Sequence, residues 1–273
     1  MKRYRYLGAL LIFLALDAFS FEELTHRHAL VIGNQNYAVS PLRNSINDSR
    51  AISFRLSELG FQVTAIEDAV ASVINAEIKT FYAKIESLIA DNDRTKALAL
   101  VYYAGHAIQI QHRNYLVPLD IKFDSQQVFL SGLYDINRLF AHVPSSPNLQ
   151  SIILLDACRT NPFSGIDNEH TKLIPSISDG LAPLRAPPGT FIAYATEPGS
   201  VASDGKGENG IYTKHLLKHM DKTITVEELF KKVRRGVAKE TNKRQIPWEH
   251  SSLLEDVFIN PPKNREIPEL MAF

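Results

Sequence analysis

Apolar residues along this chain fall into two rhythms. Short unbroken apolar runs alternate with longer stretches whose apolar positions recur at helical spacing. His28-Ala-Leu-Val-Ile-Gly33 is a short run stopped by glycine and reads as a buried strand. Asn34 to Arg43 is loop. Asn44 to Leu59 carries Ile46, Ile52, Phe54, Leu56 and Leu59 at roughly helical spacing, with Gly60 as its stop. Phe61 to Ile66 alternates and reads as a strand. Ser72 to Ala90 is amphipathic through Ile74, Ile78, Phe81, Ile85 and Leu88, with Ser72 as its expected N-cap. A second apolar run, Ala97-Leu-Ala-Leu-Val-Tyr-Tyr103, passes into Ala104-Gly105-His106.

Beyond it, Ile108 to Gln111 and Asn114 to Val117 flank His112-Arg113 and predict a small hairpin outside the main sheet. Ser131 to His142 predicts a helix. Ser151-Ile-Ile-Leu-Leu-Asp156-Ala157-Cys158-Arg159 is a buried strand ending in polar residues. Residues 160 to 189 form a long Pro-, Gly- and Ser-containing stretch without periodicity, a length that in compact domains belongs to functional or disordered loops. Thr190 to Thr196 is another buried strand. Asn209 to Met220 and Val226 to Thr241 predict helices, Leu253 to Ile259 a last strand, and residues from Pro261 a tail. Strands alternating with helices predict an α/β fold, a mostly parallel sheet covered on both faces. No internal repeat breaks this into units, so residues 21–260 read as one domain and 261–273 as a C-terminal tail.

Composition changes this picture little. The chain has 273 residues, 45% of them apolar, and 30 positive against 30 negative side chains. That balance offers no bulk attraction to nucleic acid. The N-terminus adds more. Met1-Lys-Arg-Tyr-Arg-Tyr6 is basic, Leu7 to Leu16 is apolar but short for a bilayer span, and Ala18-Phe19-Ser20 supplies small residues for cleavage. Residues 1–20 therefore predict a secretory signal peptide, the alternative being an uncleaved N-terminal anchor; Asp17 sits awkwardly in either. Both place the domain outside a bacterial inner membrane, periplasmic or secreted, and free of the membrane once the leader is removed.

The candidate chemistry lies at two strand ends. Cys158 is the chain's single cysteine, which excludes an internal disulfide. Ligands and chemistry collect at the carboxyl ends of strands in open α/β sheets. If the Ala97 and Ser151 strands are parallel neighbours, the imidazole of His106 and the thiol of Cys158 meet at one edge. A histidine beside a cysteine favours the thiolate, the reactive nucleophile. The bland alternative is a buried structural cysteine and a satisfied core histidine.

His106 precedes Cys158 by about 50 residues, and the cysteine sits in Asp156-Ala157-Cys158-Arg159. With His28–Gly33, Leu42–Ala51, Tyr102–His106, Asn114–Asp120, Leu154–Arg159, Ala193–Asp204 and Gln245–Leu254, the chain resembles the caspase-like cysteine peptidases, in particular their bacterial metacaspase and paracaspase branch. The resemblance implies a caspase-like α/β/α sandwich and a cysteine-type endopeptidase. It implies a dyad of Cys158 as nucleophile and His106 as general acid/base, with no third side chain required. The backbone N–H groups of Ala107 and Cys158 are the natural oxyanion donors. No metal or organic cofactor is needed. Calcium activation occurs in some metacaspases, but Asp167 and Glu169 are too few to argue it. Family members usually have glycine after the histidine; Ala107 would be restrictive if that position needs positive φ. His112-Arg113 likewise stands where relatives often carry glycine.

Specificity rests on acidic residues. Asp156, two before Cys158 on a strand, lies on the same face. By the resemblance, an Asp there goes with cleavage after Arg or Lys, since carboxylates pair bidentately with guanidinium. Asp48 matches a second acidic pocket position, though it also reads as a helix-start charge favoured by the dipole. Asp204 is a third candidate, though Asp204-Gly205 is also a turn signal. The expected partner is a protein or peptide with a basic P1 residue, with a homodimer left open. Arg159 reads as a loop brace, Trp248 as a cleft wall or core residue, and Tyr102 and Tyr103 as packing. His26, His142, His170, His215, His219 and His250 lack metal-ligand spacing. Arg185 and Lys172 in the long loop are candidate self-cleavage positions. The contrasting function is a catalytically impaired domain that binds basic peptides or serves as a scaffold. An α/β-hydrolase is disfavoured because no Gly-x-Ser-x-Gly elbow occurs.

Overall fold

The structure, a computed structural model, describes residues 26–90, 95–158, 161–163, 177–178, 180–197 and 207–262, with Cys158 described by its backbone. In chain order the elements are β1 (His26–Gly33), α1 (Ser45–Glu58), β2 (Gln62–Glu67), α2 (Ala71–Ala90), β3 (Ala97–Ile110), β4 (Arg113–Leu116), α3 (Gln126–Gly132), β5 (Tyr134–Asp135), α4 (Ile136–His142), β6 (Leu149–Cys158), β7 (Ile177–Ser178), β8 (Thr190–Tyr194), α5 (Ile211–Leu217), α6 (Val226–Glu240) and β9 (Trp248–Ser251). The sheet runs β2-β1-β3-β6-β8-β9. The first five of these strands are parallel and β9 closes one edge antiparallel to β8. Helices α1, α5 and α6 pack on one face, α2 and α4 on the other. This is the α/β sandwich that alternating periodicities imply.

The apolar runs fill the middle layer. Every residue of β3 is buried, and Ile152 to Leu155 of β6 are wholly inaccessible. Such strands are apolar on both sides because helices cover both faces. A smaller core of Tyr37, Leu42, Ile108, Ile110, Val117, Phe129, Leu133 and Phe163 lies under the far end of β3. Within it Phe123, Phe129 and Phe163 stack or meet edge to face, with centroids 5.1–5.6 Å apart. That second core supports the part of β3 that leaves the central layer.

Several elements differ from the sequence reading. The hairpin is not outside the main sheet: its first arm is the continuation of β3, and β4 folds back on it with Ile110 opposite Arg113. The helix expected over Ser131–His142 is two short helices, broken because Asp135 caps α4 by accepting from the Asn137 N–H at 2.9 Å. Ser72 does not cap α2; that helix starts at Ala71, whose N–H is taken by the Asp120 carboxylate at 2.9 Å. The last strand is Trp248–Ser251, not Leu253–Ile259. The latter segment instead lies at the start of α6, where Val257 O accepts from the Val226 N–H at 2.7 Å. The signal peptide, most of the 160–189 stretch including His170 and Lys172, and the tail from residue 263 lie outside the described residues. Arg185 is exposed, but its neighbours are pinned. Leu184 N–H donates to the Tyr194 hydroxyl at 3.2 Å, and Ala182 exchanges two hydrogen bonds with the Asn114 amide at 2.7 and 2.8 Å.

The β3–β4 turn is built by Gln111 (φ 49°) and His112 (φ 61°), the left-handed angles of a two-residue type I′ hairpin. Side chains there cost about 1 kcal/mol each. Gln111→Asn with His112→Gly raises the unfolding free energy by about 1 kcal/mol in denaturant titration. Separately, His28 on β1 is buried, and burial, then Lys84 and His26, lower its pKa from 6.5 to about 4. Below pH 6.5 the unfolded chain takes up a proton that the folded one refuses until about pH 4. Stability from this site is therefore full above pH 6.5 and falls as pH drops to about 4. His28→Leu flattens the plot of unfolding free energy against pH in that window.

Candidate active site

β3 and β6 pair in parallel from Ala97–Leu149 to Ala104–Asp156, and the next pair is Ala107–Cys158. Three steps along β3 match two along β6. The extra residue makes a bulge across Gly105 and His106, a device that re-aims a side chain at a strand end. His106 thus stands immediately before the residue that faces Cys158 across the ladder, and the two strand ends converge as the parallel arrangement requires.

The bulge is locked from both sides. The His106 N–H donates to the Tyr37 hydroxyl at 2.9 Å, and its carbonyl accepts from the Tyr103 hydroxyl at 2.8 Å and from the Val117 N–H at 2.9 Å. The Tyr37 ring lies 4.6 Å from the imidazole, centroid to centroid. His106 Nε2 is 2.7 Å from the Ser40 carbonyl. A carbonyl only accepts, so Nε2 carries a proton, and in the neutral ring Nδ1 holds the lone pair. Ser40 has φ 55°, a left-handed backbone that turns its carbonyl. Burial pushes the Tyr37 phenol up to about 12 and Tyr103 well above its usual 10, so both remain neutral hydroxyls. Gly105 is demanded by space: a Cβ there would lie 2.6 Å from the Tyr103 hydroxyl and 2.8 Å from that of Tyr37. Ala107 is extended strand and has no positive φ, so the restriction expected of a methyl group at that position does not arise.

The acidic candidates come together in part. Asp48 on α1 and Asp156 on β6 are both buried, and their carboxylates approach the same residue, Gly210, at the start of α5. Asp48 Oδ1 accepts from the Gly210 N–H and from Asn209 Nδ2, each at 2.9 Å. Asp156 Oδ2 accepts from the Thr213 hydroxyl at 2.8 Å, with the Tyr102 hydroxyl 3.2 Å away. Asp204 and Arg159 lie outside the described residues. Trp248 is 47% exposed on β9 and lines a cavity of about 180 Å³ with Arg234, Ile246 and Glu249, so it is not core. His215 pairs with Glu240 at 2.9 Å across α5 and α6. Among the described residues no cluster of three His, Cys, Asp or Glu is arranged to hold a metal ion, and no helix is long and apolar enough to cross a membrane.

Sequence reasoning missed Tyr37, Ser40, Asn209, Gly210 and Thr213, and it assigned Tyr102 and Tyr103 to packing alone. Apart from the contact of Tyr103 with His106, their hydrogen bonds act across tens of residues of chain, which no local pattern displays. The one available sign was two tyrosines in an apolar strand, whose polar tips need partners when buried.

The caspase-domain family model of the C14 peptidases matches residues 26–259. Over 204 residues the chain is 26% identical to the human mucosa-associated lymphoid tissue lymphoma translocation protein 1, covering 72% of this chain and 22% of that protein. The mouse homologue gives the same identity and coverage. The chain thus spans 22% of the length of these relatives. The fold is similar to that of caspase-1 from Spodoptera frugiperda, with a TM-score of 0.59 and 17% identity over 89% of this chain and 94% of that one.

The packing around Gly105 is directly testable. Gly105→Ala forces its methyl against two hydroxyls and lowers stability by about 1–3 kcal/mol in denaturant unfolding. Tyr103→Leu removes both the closer hydroxyl and the ring carbon that lies 2.8 Å from the same position, so the double variant is less destabilised than the two single losses together, a coupling that a double-mutant cycle reads.

Proposed function

The chain belongs to the caspase-domain peptidases, and we propose that it is an exported cysteine endopeptidase that cuts after Arg or Lys, with His106 and Cys158 as its dyad. The observation that carries the catalytic part is the β3–β6 register: one extra residue sets His106 beside the ladder partner of Cys158. The observation behind the basic preference is the approach of Asp48 and Asp156 to a single point at Gly210.

In this reading His106 Nδ1 takes the Cys158 thiol proton, and the thiolate attacks the scissile carbonyl carbon. The carbonyl oxygen becomes an oxyanion, for which the backbone N–H groups of Ala107 and Cys158 are the proposed donors. As the tetrahedral species collapses, His106 gives its proton to the departing amine and an acyl-thioester remains. Water then attacks the thioester, with His106 accepting a water proton, and the acid product leaves as the thiol reforms. The Ser40 carbonyl holds Nε2–H through these steps and supports the imidazolium that forms between them, so a backbone group does the orienting that catalytic triads give to a side chain. The chemistry calls for no metal or organic cofactor. Asp48 and Asp156, with Asp204 as a third candidate, supply negative charge for a P1 guanidinium or ammonium. The contrasting reading, a binding module with impaired chemistry, drew on Ala107. An alanine in extended strand is at ease and keeps its N–H, so the catalytic reading is preferred.

The test uses paired fluorogenic peptides ending in P1 Arg and P1 Asp. Wild-type protein turns over the Arg peptide and not the Asp peptide. Cys158→Ala and His106→Ala each lower that turnover by a factor on the order of 10³ or more. Turnover that survives Cys158→Ala removes the dyad; turnover of the Asp peptide instead removes the basic pocket.

A further inference from the structure

The Tyr37 hydroxyl and the Ser40 carbonyl, which hold His106 from outside its own strand, both sit on one loop, residues 35–42. Packing alone does not fix that loop. Asn36, Ala38 and Ser40 are exposed, and only Tyr37 and Leu42 of its side chains are buried. Its backbone is instead closed on itself, since the Leu42 N–H donates to the Gln35 carbonyl at 2.9 Å. Gln35 is the knot of this closure. Its side chain is tied as well: Oε1 accepts from the Ile46 N–H, in the first turn of α1, at 3.2 Å.

The knot is fastened from the end of β2. Asp68 Oδ1 accepts from the Gln35 N–H at 2.9 Å and from the Asn36 N–H at 3.1 Å, and Oδ2 accepts from the Asn36 amide at 2.6 Å. Asp68 itself stands at φ 49°, with its own N–H on the Gly33 carbonyl at 2.9 Å. The next residue, Ala69, exchanges two hydrogen bonds with the buried Asn34 side chain at 2.8 and 3.1 Å. Three successive residues that follow β1 are thus stitched to two that follow β2. Burial works against a charge on Asp68, yet the Gln35 and Asn36 N–H groups and the Asn36 amide bring its pKa below the usual carboxylate value. The carboxylate is ionised at neutral pH, and its bonds to the loop are of the strong, charge-assisted kind.

We propose that Asp68 is a positioning residue for His106. Its carboxylate holds Gln35, and through the closed loop that Gln35 ties, it sets the Tyr37 hydroxyl and the Ser40 carbonyl on the histidine. This rests on the dyad reading above. Asp68 touches neither the imidazole nor the substrate. Without its hold the Ser40 carbonyl drifts from Nε2, and the ring turns or shifts its proton to Nδ1, where a lone pair must face the thiol. Chemistry suffers before substrate binding does, because the bonds the loop carries end on His106.

The test compares wild type, Asp68→Gly, Asp68→Asn and Gln35→Leu on the P1 Arg peptide. Melting temperature and the rate of Cys158 alkylation by iodoacetamide at neutral pH are followed in parallel. Glycine adopts the left-handed angle without strain, so Asp68→Gly removes the carboxylate while leaving the turn. Asparagine also tolerates that angle, and its side-chain oxygen accepts from both backbone N–H groups. Asp68→Gly is expected to lower kcat about tenfold to a hundredfold and to slow alkylation, with KM within about twofold of wild type. Asp68→Asn is expected to restore kcat to within about threefold of wild type, and Gln35→Leu to lower it about threefold or more. Wild-type kcat in a folded Asp68→Gly protein overturns the proposal, and so does a loss confined to KM. An Asp68→Asn protein as slow as Asp68→Gly also overturns it, since the acceptor oxygens are then not what matters. If Asp68→Gly does not fold, wild-type kcat in Gln35→Leu overturns it instead. Wild-type turnover that is absent, or that survives Cys158→Ala, removes the dyad reading itself, an outcome visible before any Asp68 variant is made.

Discussion

One extra residue in β3 decides where His106 stands relative to the end of β6. Five parallel strands would otherwise end in step, and a side chain at the end of β3 would follow the ordinary alternation of the ladder. The bulge between Ala104 and Ala107 breaks that alternation beside Cys158. A bulge leaves backbone groups unpaired, and an orphaned buried N–H or C=O costs about 1–3 kcal/mol. Here the Tyr37 and Tyr103 hydroxyls and the Val117 N–H satisfy His106 on both sides. The irregular backbone therefore has one conformation, and the imidazole, also tied to Ser40, has one place.

Tyr102 and Tyr103 show how a fully buried strand can serve two ends at once. Neighbouring residues on a strand face opposite ways. Tyr103 sends its hydroxyl to the His106 carbonyl, toward the proposed catalytic base. Tyr102 sends its hydroxyl to Thr213 and Asp156, toward the proposed specificity carboxylates. Both phenols are held neutral by burial. In a low-dielectric interior such bonds are strong when complete and expensive when broken. The catalytic and selective halves of the site are thus anchored in adjacent positions of the same strand, and that strand lies at the centre of the sheet.

The central fold was legible because it depends on patterns that survive without tertiary context. Apolar runs marked β1, β3, β6 and β8, and helical spacing marked α1, α2 and α6. What misled was a break or a continuation decided by distant partners. Asp135 ends one helix and starts another by capping; Ala71 starts α2 because Asp120 arrives from a loop; β3 runs on past His106 because a second small core lies beneath it. That the segments carrying His106 and Cys158 end side by side was legible from the two apolar runs and follows from their parallel pairing. The supporting groups were not, since the Tyr37 and Thr213 hydroxyls and the Gly210 N–H reach the site only through the folded chain.

Glycine and alanine in this site illustrate why a motif's letters need geometry to be weighed. A glycine is required for one of two reasons, a left-handed backbone or a lack of room. Ala107 stands where the resemblance led to the expectation of glycine, yet its strand is extended and its methyl meets no conformational penalty. Gly105 and Gly210 are the reverse case. Neither has a left-handed φ, but a Cβ at either would press on polar groups that hold the proposed machinery: two tyrosine hydroxyls at Gly105, the Asp48 carboxylate at Gly210. The position that looked like a defect therefore carries no backbone penalty. The constraint lies at Gly105 and Gly210, where two glycines leave space that the site's polar groups occupy or border.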